Sequence, residues 1–125
     1  MTHSSSETKQ FIESYLQALS GKPKTRDVVS QFVSDPSLAE HIQHIEAAFP
    51  SYELVAGQLI ADGDLAALRG TFSGVQRGPF AGLPPTGKYV TADLMIFYRV
   101  HGGRIVEHWL QMDNAALMEQ LAAAA

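Results

Sequence analysis

The chain contains no cysteine, and this absence excludes disulfide bridges, thiolate metal sites and cysteine nucleophiles. Basic residues are also few, with 9 Lys and Arg against 13 Asp and Glu and a net charge of −4. Because nucleic-acid binding needs a basic surface that neutralises phosphates, this balance predicts no nucleic-acid partner. The sequence has no long apolar run and no apolar signal core at its start. We therefore expect a cytoplasmic protein with no membrane partner.

Apolar residues, by contrast, make up 46% of the chain, and charged residues only 18%. A chain of 125 residues with this composition is long enough for one domain with a substantial hydrophobic core. No repeat, linker or low-complexity segment divides it, so we expect a single domain over residues 1–125, with residues 1–6 frayed. The low charge content predicts that some apolar surface lies in an interface or around a cavity.

The first fifty residues carry apolar side chains at helical spacing. The pattern predicts one helix over about residues 7–19, a short second helix, and a third that opens at Asp35-Pro36. His41 and His44 lie beside the apolar stripe of this third helix. Because no HExxH pattern or third ligand of matching geometry accompanies them, they do not predict a metal site.

After Pro50 the apolar period changes to two residues, which predicts β-strands. Asp62-Gly63 and Gly102-Gly103 are typical of tight turns, and they predict two hairpins. Residues 114–121 predict a closing helix. Helices followed by a meander of antiparallel strands indicate an α+β fold with the helices packed on one face of the sheet.

A two-residue turn at Gly102-Gly103 would also fix the register of the last hairpin. One face would then carry Asp113 with alternate residues of both strands: Ala92, Leu94, Ile96, Tyr98, Glu107, Trp109 and Gln111. His108 would lie on the opposite face with Phe97, and a one-residue bulge would reverse the assignment beyond it. Both faces are largely apolar. One receives the helices, and we expect a second copy of the protein to cover the other, which predicts a homodimer through the outer sheet face.

Asp113 is the first candidate catalytic residue. On the face of Leu94, Ile96 and Trp109 its carboxylate would be partly desolvated, and a desolvated carboxylate is a stronger base, suited to removing a proton next to a carbonyl. Asp113 also directly precedes the closing helix, where an aspartate can cap the helix and contribute about 1 kcal/mol. The residues alone leave both interpretations open.

Two further ionisable residues lie on the same apolar strand, where burial is costly unless they are paired. His108 is either a half-buried histidine at a subunit interface or an acid, or polar group, that orients Asp113. Glu107 is either a second pocket carboxylate or the partner of Arg104 or another cation.

Several large apolar side chains are candidates for the wall of a substrate pocket. They are Phe11, Tyr15, Phe49, Phe72, Phe80, Leu94, Ile96, Tyr98 and Trp109. Such spacings are equally typical of an ordinary hydrophobic core. Phe80 lies in a loop rich in glycine and proline, residues 77–87, which we expect to pack over another part of the protein rather than extend into solvent.

Four segments of the chain together resemble one known family. They are Ala48-Phe49-Pro50, Ile60–Asp64 leading to Arg69–Phe72, the loop Gly78–Gly87, and Gly103–Trp109 followed by Asp113. The sequence is similar to the SnoaL-like polyketide cyclases, whose fold is the cone of the nuclear transport factor two superfamily. The resemblance implies a curved sheet around a deep hydrophobic pocket closed by the first helices, and a protein that uses no metal or organic cofactor.

The resemblance also implies an activity. In characterised cyclases of the family, the aspartate four residues after the His-Trp pair is the general acid/base of an aldol closure, a role that transfers to Asp113, with His108 as the motif histidine. The expected substrate is a small hydrophobic compound with a carbonyl group, and the expected reactions are cyclisation, isomerisation and dehydration. Phe72 stands where the family often has a histidine, and Ser34-Asp35 stands where many relatives have a His-Asp pair. The missing histidine at Phe72 favours the alternative, a non-catalytic ligand-binding or dimerisation module of the same fold, while the intact spacing of His108 and Asp113 favours the enzyme.

Overall fold

The computed structural model describes residues 4–123, which form four helices and one antiparallel sheet of four strands. The elements follow the chain in the order α1 (Ser5–Leu19), α2 (Arg26–Ser30), α3 (Pro36–Ala48), β1 (Glu53–Asp62), β2 (Leu65–Val75), β3 (Tyr89–His101), β4 (Arg104–Met112) and α4 (Asn114–Ala122). Each strand pairs with the next along the chain, so the curled sheet is a meander with β1 and β4 at its edges. The predicted α+β fold is confirmed.

A capping box fixes the start of α1. Ser4 Oγ accepts a hydrogen bond from the Glu7 amide at 3.1 Å, and the Glu7 carboxylate accepts one from the Ser4 amide at 3.2 Å. Residues 4–6, which we expect from the sequence to fray, form the cap and first turn of α1. Residues 1–3, which were also expected to fray, lie outside the described residues.

Aspartate side chains cap α3 and α4. Asp35 Oδ1 accepts hydrogen bonds from the amides of Ser37 at 3.0 Å and Leu38 at 3.4 Å. Asp113 Oδ1 accepts one from the Ala116 amide at 3.0 Å. Each bond satisfies an amide that the helix itself leaves unpaired, so both predicted helix starts are confirmed. None of the helices within residues 4–123 is long and apolar enough to span a membrane.

A β-bulge in the last hairpin decides which residues of β4 face inward. Val100 pairs with Ile105 as predicted, but Arg99 pairs with Glu107, which leaves Val106 as an extra residue in β4. Because alternate residues of a strand point to opposite sides, one extra residue reverses the side of every later residue. The predicted register beyond the bulge is therefore wrong. The observed pairs are Tyr98 with His108, Phe97 with Trp109, Ile96 with Leu110, Met95 with Gln111, and Leu94 with Met112.

The two faces of the sheet differ in what covers them. The inner face contributes to the core beneath the helices, and alternate residues of β3 from Val90 to Val100 are buried there. The outer face leaves large apolar side chains exposed: Val55, Ile60, Tyr89, Met95, Phe97 and Trp109. Ile60, Phe97 and Trp109 lie in one row across the strands, because Ala67 joins Ile60 to Phe97 in the register.

Candidate active site

A narrow inner cavity lies between the sheet and helices α1 and α3, with a volume of about 50 Å³. Apolar and aromatic side chains line most of it: Tyr15, Leu38, Ile42, Ile45, Tyr52, Leu54, Phe72, Leu94, Ile96, Tyr98, Leu110 and Met112. His41 adds an imidazole to this lining. The volume holds a water molecule or a few non-hydrogen atoms, so this cavity fits one end of a ligand rather than a whole one.

A second cavity of about 290 Å³, the mouth cavity, adjoins the inner one. The two share four lining residues: His41, Ile45, Leu110 and Met112. Aromatic and polar side chains complete the mouth: His44, Phe80, Gln111 and Asn114. Four of the eight residues that line the mouth are polar, so the two cavities together have an apolar interior and a polar rim, which is the usual form of a small-molecule site.

Tyr15 of α1 and Tyr98 of β3 form a hydrogen-bonded pair in the inner cavity. Both side chains are buried, and their ring centroids lie 5.7 Å apart in an edge-to-face arrangement. Burial raises the pKa of each phenol well above its ordinary value, because a buried phenolate loses its solvation. Both hydroxyls therefore keep their protons at neutral pH, so one donates within the pair and the other can donate to a ligand.

His108 and Asp35 form a second polar pair beneath the helices. His108 Nδ1 lies 2.8 Å from Asp35 Oδ2, and both side chains are largely buried. The bulge at Val106 turns His108 to the inner side, and the α3 cap holds Asp35 opposite it. Because a carboxylate accepts hydrogen bonds, Nδ1 donates to Asp35 and the imidazole keeps a fixed orientation.

His41, in the second turn of α3, meets both cavities. Burial lowers its pKa from the ordinary value, and the neighbouring charges of His108 and His44 lower the pKa further. The imidazole of His41 is therefore neutral at pH 7 and has one nitrogen available to accept a proton.

Comparison with known proteins identifies the family of this chain. The model of the SnoaL-like polyketide cyclases matches residues 22–121. The chain belongs to the SnoaL-like polyketide cyclase family. A search of curated protein sequences finds no significant match.

Solved structures share the fold of this SnoaL-like chain. AclR from Streptomyces galilaeus, a proposed hydroxylase, has a TM-score of 0.81 at 23% identity, and the match covers 98% of this chain and 87% of AclR. TsrD from Streptomyces laurentii has a TM-score of 0.73 at 26% identity, with 92% and 94% covered. A proposed polyketide cyclase from Acidithiobacillus ferrooxidans has a TM-score of 0.79 at 20% identity, with 94% and 96% covered.

Asp113 lies outside the inner cavity of this SnoaL-like protein. Its side chain is exposed at the start of α4, where it caps the helix, and it borders a groove on the outer sheet face beside Arg69 and Asp93. The predicted apolar surroundings of Asp113 are therefore wrong, because the bulge reverses the register on which they depended. The capping interpretation is confirmed.

Most predicted lining residues lie where the sequence placed them. Tyr15, Phe72, Leu94, Ile96 and Tyr98 line the inner cavity. Tyr15 lies on the side of α1 that faces the sheet, and Leu94, Ile96 and Tyr98 are alternate residues of β3, so helical and strand periodicity set the direction of these four side chains. Their exposed counterparts on β3 point to the outer face.

Four other predicted pocket residues have different surroundings. Phe80 lines the mouth rather than the inner cavity. Phe49 is fully buried against Phe72 and Phe80, with ring centroids 5.2 and 5.3 Å away, and lines neither cavity. Phe11 packs against Phe32 at 6.0 Å, also away from both cavities. Trp109 is 48% exposed on the outer face, so its assignment to the pocket is wrong.

The structure also decides the alternatives for the polar residues of β4. Glu107 pairs with Arg99 at 2.9 Å on the exposed side of the sheet, which confirms its salt-bridge interpretation with a cation other than Arg104. His108 faces inward, so the interpretation as an outer-face histidine is wrong. Within residues 4–123, no group of three or more His, Asp or Glu residues could hold a metal ion.

Sequence reasoning missed His41 as a site residue and Asp35 as the partner of His108. For His41 a signal existed, because it lies beside the apolar stripe of α3 and must therefore approach the core. Asp35 was assigned only as a helix start, since its second oxygen meets a residue 73 positions later in the chain. No local pattern predicts such a contact.

Proposed function

We propose that the protein is an enzyme that removes a proton next to the carbonyl group of a small, mostly apolar compound. The observation that carries this proposal is His41, a neutral imidazole that meets both the inner and the mouth cavity. Membership of the SnoaL-like polyketide cyclase family supports it, because an aldol cyclisation begins with such a proton transfer. Isomerisation and dehydration can begin in the same way.

The proposed step moves one proton from carbon to nitrogen. The proton passes from the carbon beside the carbonyl to the free ring nitrogen of His41. The electron pair of the broken C–H bond moves toward the carbonyl oxygen and gives an enolate. Because the pKa of His41 is lowered, the imidazole is unprotonated at neutral pH and ready to accept the proton. The imidazolium then returns the proton in the product-forming step.

The Tyr15–Tyr98 pair is the proposed donor to the enolate oxygen, through the hydroxyl proton that is not donated within the pair. Their hydroxyls stay protonated because burial raises their pKa, and both lie in the inner cavity with His41. Fixed donors in an apolar site stabilise developing negative charge more than water does. The carbonyl end of the substrate would enter the inner cavity, and its apolar body would remain in the mouth.

The His108–Asp35 pair has a different proposed role, because neither residue borders the two cavities. The pair lies close enough to His41 for the charge of His108 to lower the pKa of His41. Since Asp35 also caps α3, the helix that carries His41, the pair fixes the imidazole of His108 relative to the base. We therefore propose His108 and Asp35 as positioning residues.

Hydrogen exchange of 2-tetralone, a two-ring ketone with acidic protons beside its carbonyl, tests the proposal. In D₂O at neutral pD, followed by proton NMR, the wild-type protein should speed the loss of these proton signals over buffer alone. His41→Gln should lower the protein-dependent rate at least about 100-fold, since general base catalysis typically contributes that much. Asp113→Asn is the matched control, because an amide oxygen can still cap α4, and its rate should equal that of the wild type.

The two variants separate the candidate bases. If Asp113→Asn removes the exchange and His41→Gln does not, Asp113 is the base and the proposed role of His41 fails. Circular dichroism of each variant checks that the loss of rate does not come from unfolding.

A non-catalytic ligand-binding module is the second candidate, and the small inner cavity favours it. The cavity of about 50 Å³ leaves little room for a reacting group, and the exposed side chain of Asp113 caps α4. In that case the wild-type protein would broaden the NMR signals of 2-tetralone by binding it, but would not speed its hydrogen exchange.

A further inference from the structure

Gln76 is a fully buried amide at the end of β2, just before the loop formed by residues 77–87. Its Nε2 donates hydrogen bonds to the carbonyl oxygens of Gly78 at 3.0 Å and Leu83 at 3.5 Å. Its Oε1 accepts hydrogen bonds from the amide and the hydroxyl of Thr86 at 3.1 and 2.7 Å. Both ends of the side-chain amide are therefore bonded to the loop, and the loop is closed around one side chain.

The start of the loop is also docked on the C-terminal end of α3. The amides of Arg77 and Gly78 both donate to the Ala48 carbonyl, at 2.8 and 3.1 Å. A Cβ at position 78 would lie 2.4 Å from the Ala47 carbonyl oxygen, so only glycine permits this approach. The loop is therefore held at its base by α3 and across its middle by Gln76.

Phe80 is the side chain that this arrangement presents to the mouth cavity. It lies between Gly78 and Leu83, whose carbonyl groups both bind Gln76, and it pairs with Leu83 through two backbone hydrogen bonds of 3.0 and 2.8 Å. Its ring packs against Phe49 at 5.3 Å and His44 at 5.9 Å between centroids. Phe80 and His44 together form one side of the mouth.

We infer that Gln76 is a positioning residue that holds Phe80 as a fixed wall of the mouth cavity and thereby sets which ring-shaped ligands the mouth accepts. This inference rests on the proposed function in one respect, since it takes the mouth to be the ligand site. The loop is then a preformed wall and not a lid, because opening it would break the hydrogen bonds of a buried, fully paired amide at a cost in free energy. The favoured ligands are flat, apolar molecules with a polar edge, which fit between Phe80 and the polar rim.

Gln76→Met tests the inference, because methionine has a similar length but cannot bond the loop. Hydrogen exchange followed by mass spectrometry should show exchange in residues 77–87 at least about tenfold faster than in the wild type, as expected when local stability falls. Binding of 2-naphthol, a flat molecule with one hydroxyl, should weaken at least about tenfold by fluorescence titration, because the wall is no longer fixed. The NMR contact between the rings of Phe80 and His44 should weaken as well.

Gln120→Met is the matched control. Gln120 on α4 also uses both ends of its amide, accepting from the Thr91 amide at 2.9 Å and donating to the Thr91 carbonyl at 2.7 Å, but it borders neither cavity. This variant should leave 2-naphthol binding and exchange in residues 77–87 unchanged. If it weakens binding as much as Gln76→Met does, the effect is a general loss of stability and the inference is wrong.

The outcomes also separate this inference from the proposed function. If the wild-type protein binds no 2-naphthol, the proposed ligand class fails, while the exchange rates and the ring contact of Phe80 still decide the role of Gln76. If Gln76→Met leaves exchange in residues 77–87 unchanged, Gln76 does not hold the wall. Thr86→Val gives the same comparison should Gln76→Met not fold, because it removes the 2.7 Å bond to Gln76 together with the 3.2 Å bond that the Thr86 hydroxyl accepts from the Lys88 amide.

Discussion

His108 Nδ1 lies 2.8 Å from Asp35 Oδ2, and this contact joins the last strand of the sheet to the first turn of α3. The other oxygen of the Asp35 carboxylate, Oδ1, accepts hydrogen bonds from the Ser37 and Leu38 amides. One carboxylate therefore stabilises a helix start and a link between helix and sheet at the same time. The side chain of Asp35 is almost fully buried, so solvent cannot replace either set of partners if it is removed.

Asp35→Ala should lower the free energy of unfolding by about 2–4 kcal/mol, because it removes both a helix cap and a charge-assisted hydrogen bond. Asp113→Ala removes a cap of the same kind, but an exposed one without a histidine partner, and should cost only about 1 kcal/mol. Urea denaturation followed by circular dichroism measures both values. Equal losses in the two variants would mean that the contact with His108 contributes no stability.

The stability of the wild-type protein should fall as the pH falls from 7.5 to 5, partly through His41. Burial lowers the pKa of this imidazole below its ordinary value of about 6.5, so the unfolded chain binds the proton at a higher pH than the folded one. The stabilisation is therefore complete above pH 6.5 and is lost as the pH falls toward the lowered pKa. His41→Gln should reduce this fall when urea denaturation is repeated at each pH. His101 lies at the exposed hairpin turn, and the stability of His101→Gln should fall with pH as much as that of the wild type.

Lys24 should be more important to stability than its charge suggests, because its side chain is buried. Its Nζ donates to the Tyr52 and Lys22 carbonyls at 2.7 and 3.0 Å, and pairs with Glu46 at 3.4 Å. Lys24→Met should cost about 2–4 kcal/mol, since these buried acceptors lose their donor. Lys22 is the control, because its exposed Nζ donates only to the Gln17 carbonyl. Lys22→Met should therefore change the free energy of unfolding by less than about 0.5 kcal/mol in the same denaturation measurement.

We propose that a second copy of the chain covers the outer sheet face. The row of Ile60, Phe97 and Trp109 gives an apolar centre, and Arg69 beside it makes no ion pair within residues 4–123. Asp93 and Asp113 border the same groove as Arg69, so a two-fold related copy could bring unlike charges together across the interface.

Phe97→Asp should therefore convert a dimer into a monomer in sedimentation velocity experiments, with an unchanged circular dichroism spectrum. The fold is retained because the Phe97 side chain is 46% exposed on the single chain. Tyr89 is an exposed aromatic residue at the far end of the same strand, and Tyr89→Asp should leave the dimer intact. A wild-type protein that sediments as a monomer at high concentration would refute the proposal.

Much of this fold follows from local patterns in the sequence. The helical spacing of Ile12, Tyr15 and Leu19 predicts α1, and the glycines at 102 and 103, with φ angles of 58° and 73°, predict the last turn. The alternating residues of β3 also predict which side chains line the inner cavity. These features depend on residues close together in the chain, so a single sequence contains the information.

The polar part of the site depends on contacts that no local pattern contains. Val106 is an apolar residue in an apolar strand, and nothing in its neighbours marks it as the extra residue of a bulge. A strand predicted without this bulge places His108 and Asp113 in the wrong surroundings. It also gives Asp35 no contact with His108. The position of His41 in the cavity likewise depends on how α3 crosses the sheet, which is set by packing over the whole core.

The extra residue of β4 has a consequence for where the strand can change its length. Loss of the Val106 codon would remove the bulge and leave Glu107 opposite Arg99, so every later residue of β4 would keep its side. Loss of the His108 codon would instead bring the indole of Trp109 opposite Tyr98, on the inner face. During evolution β4 should therefore tolerate a change of length at the bulge far better than one nearer to Trp109.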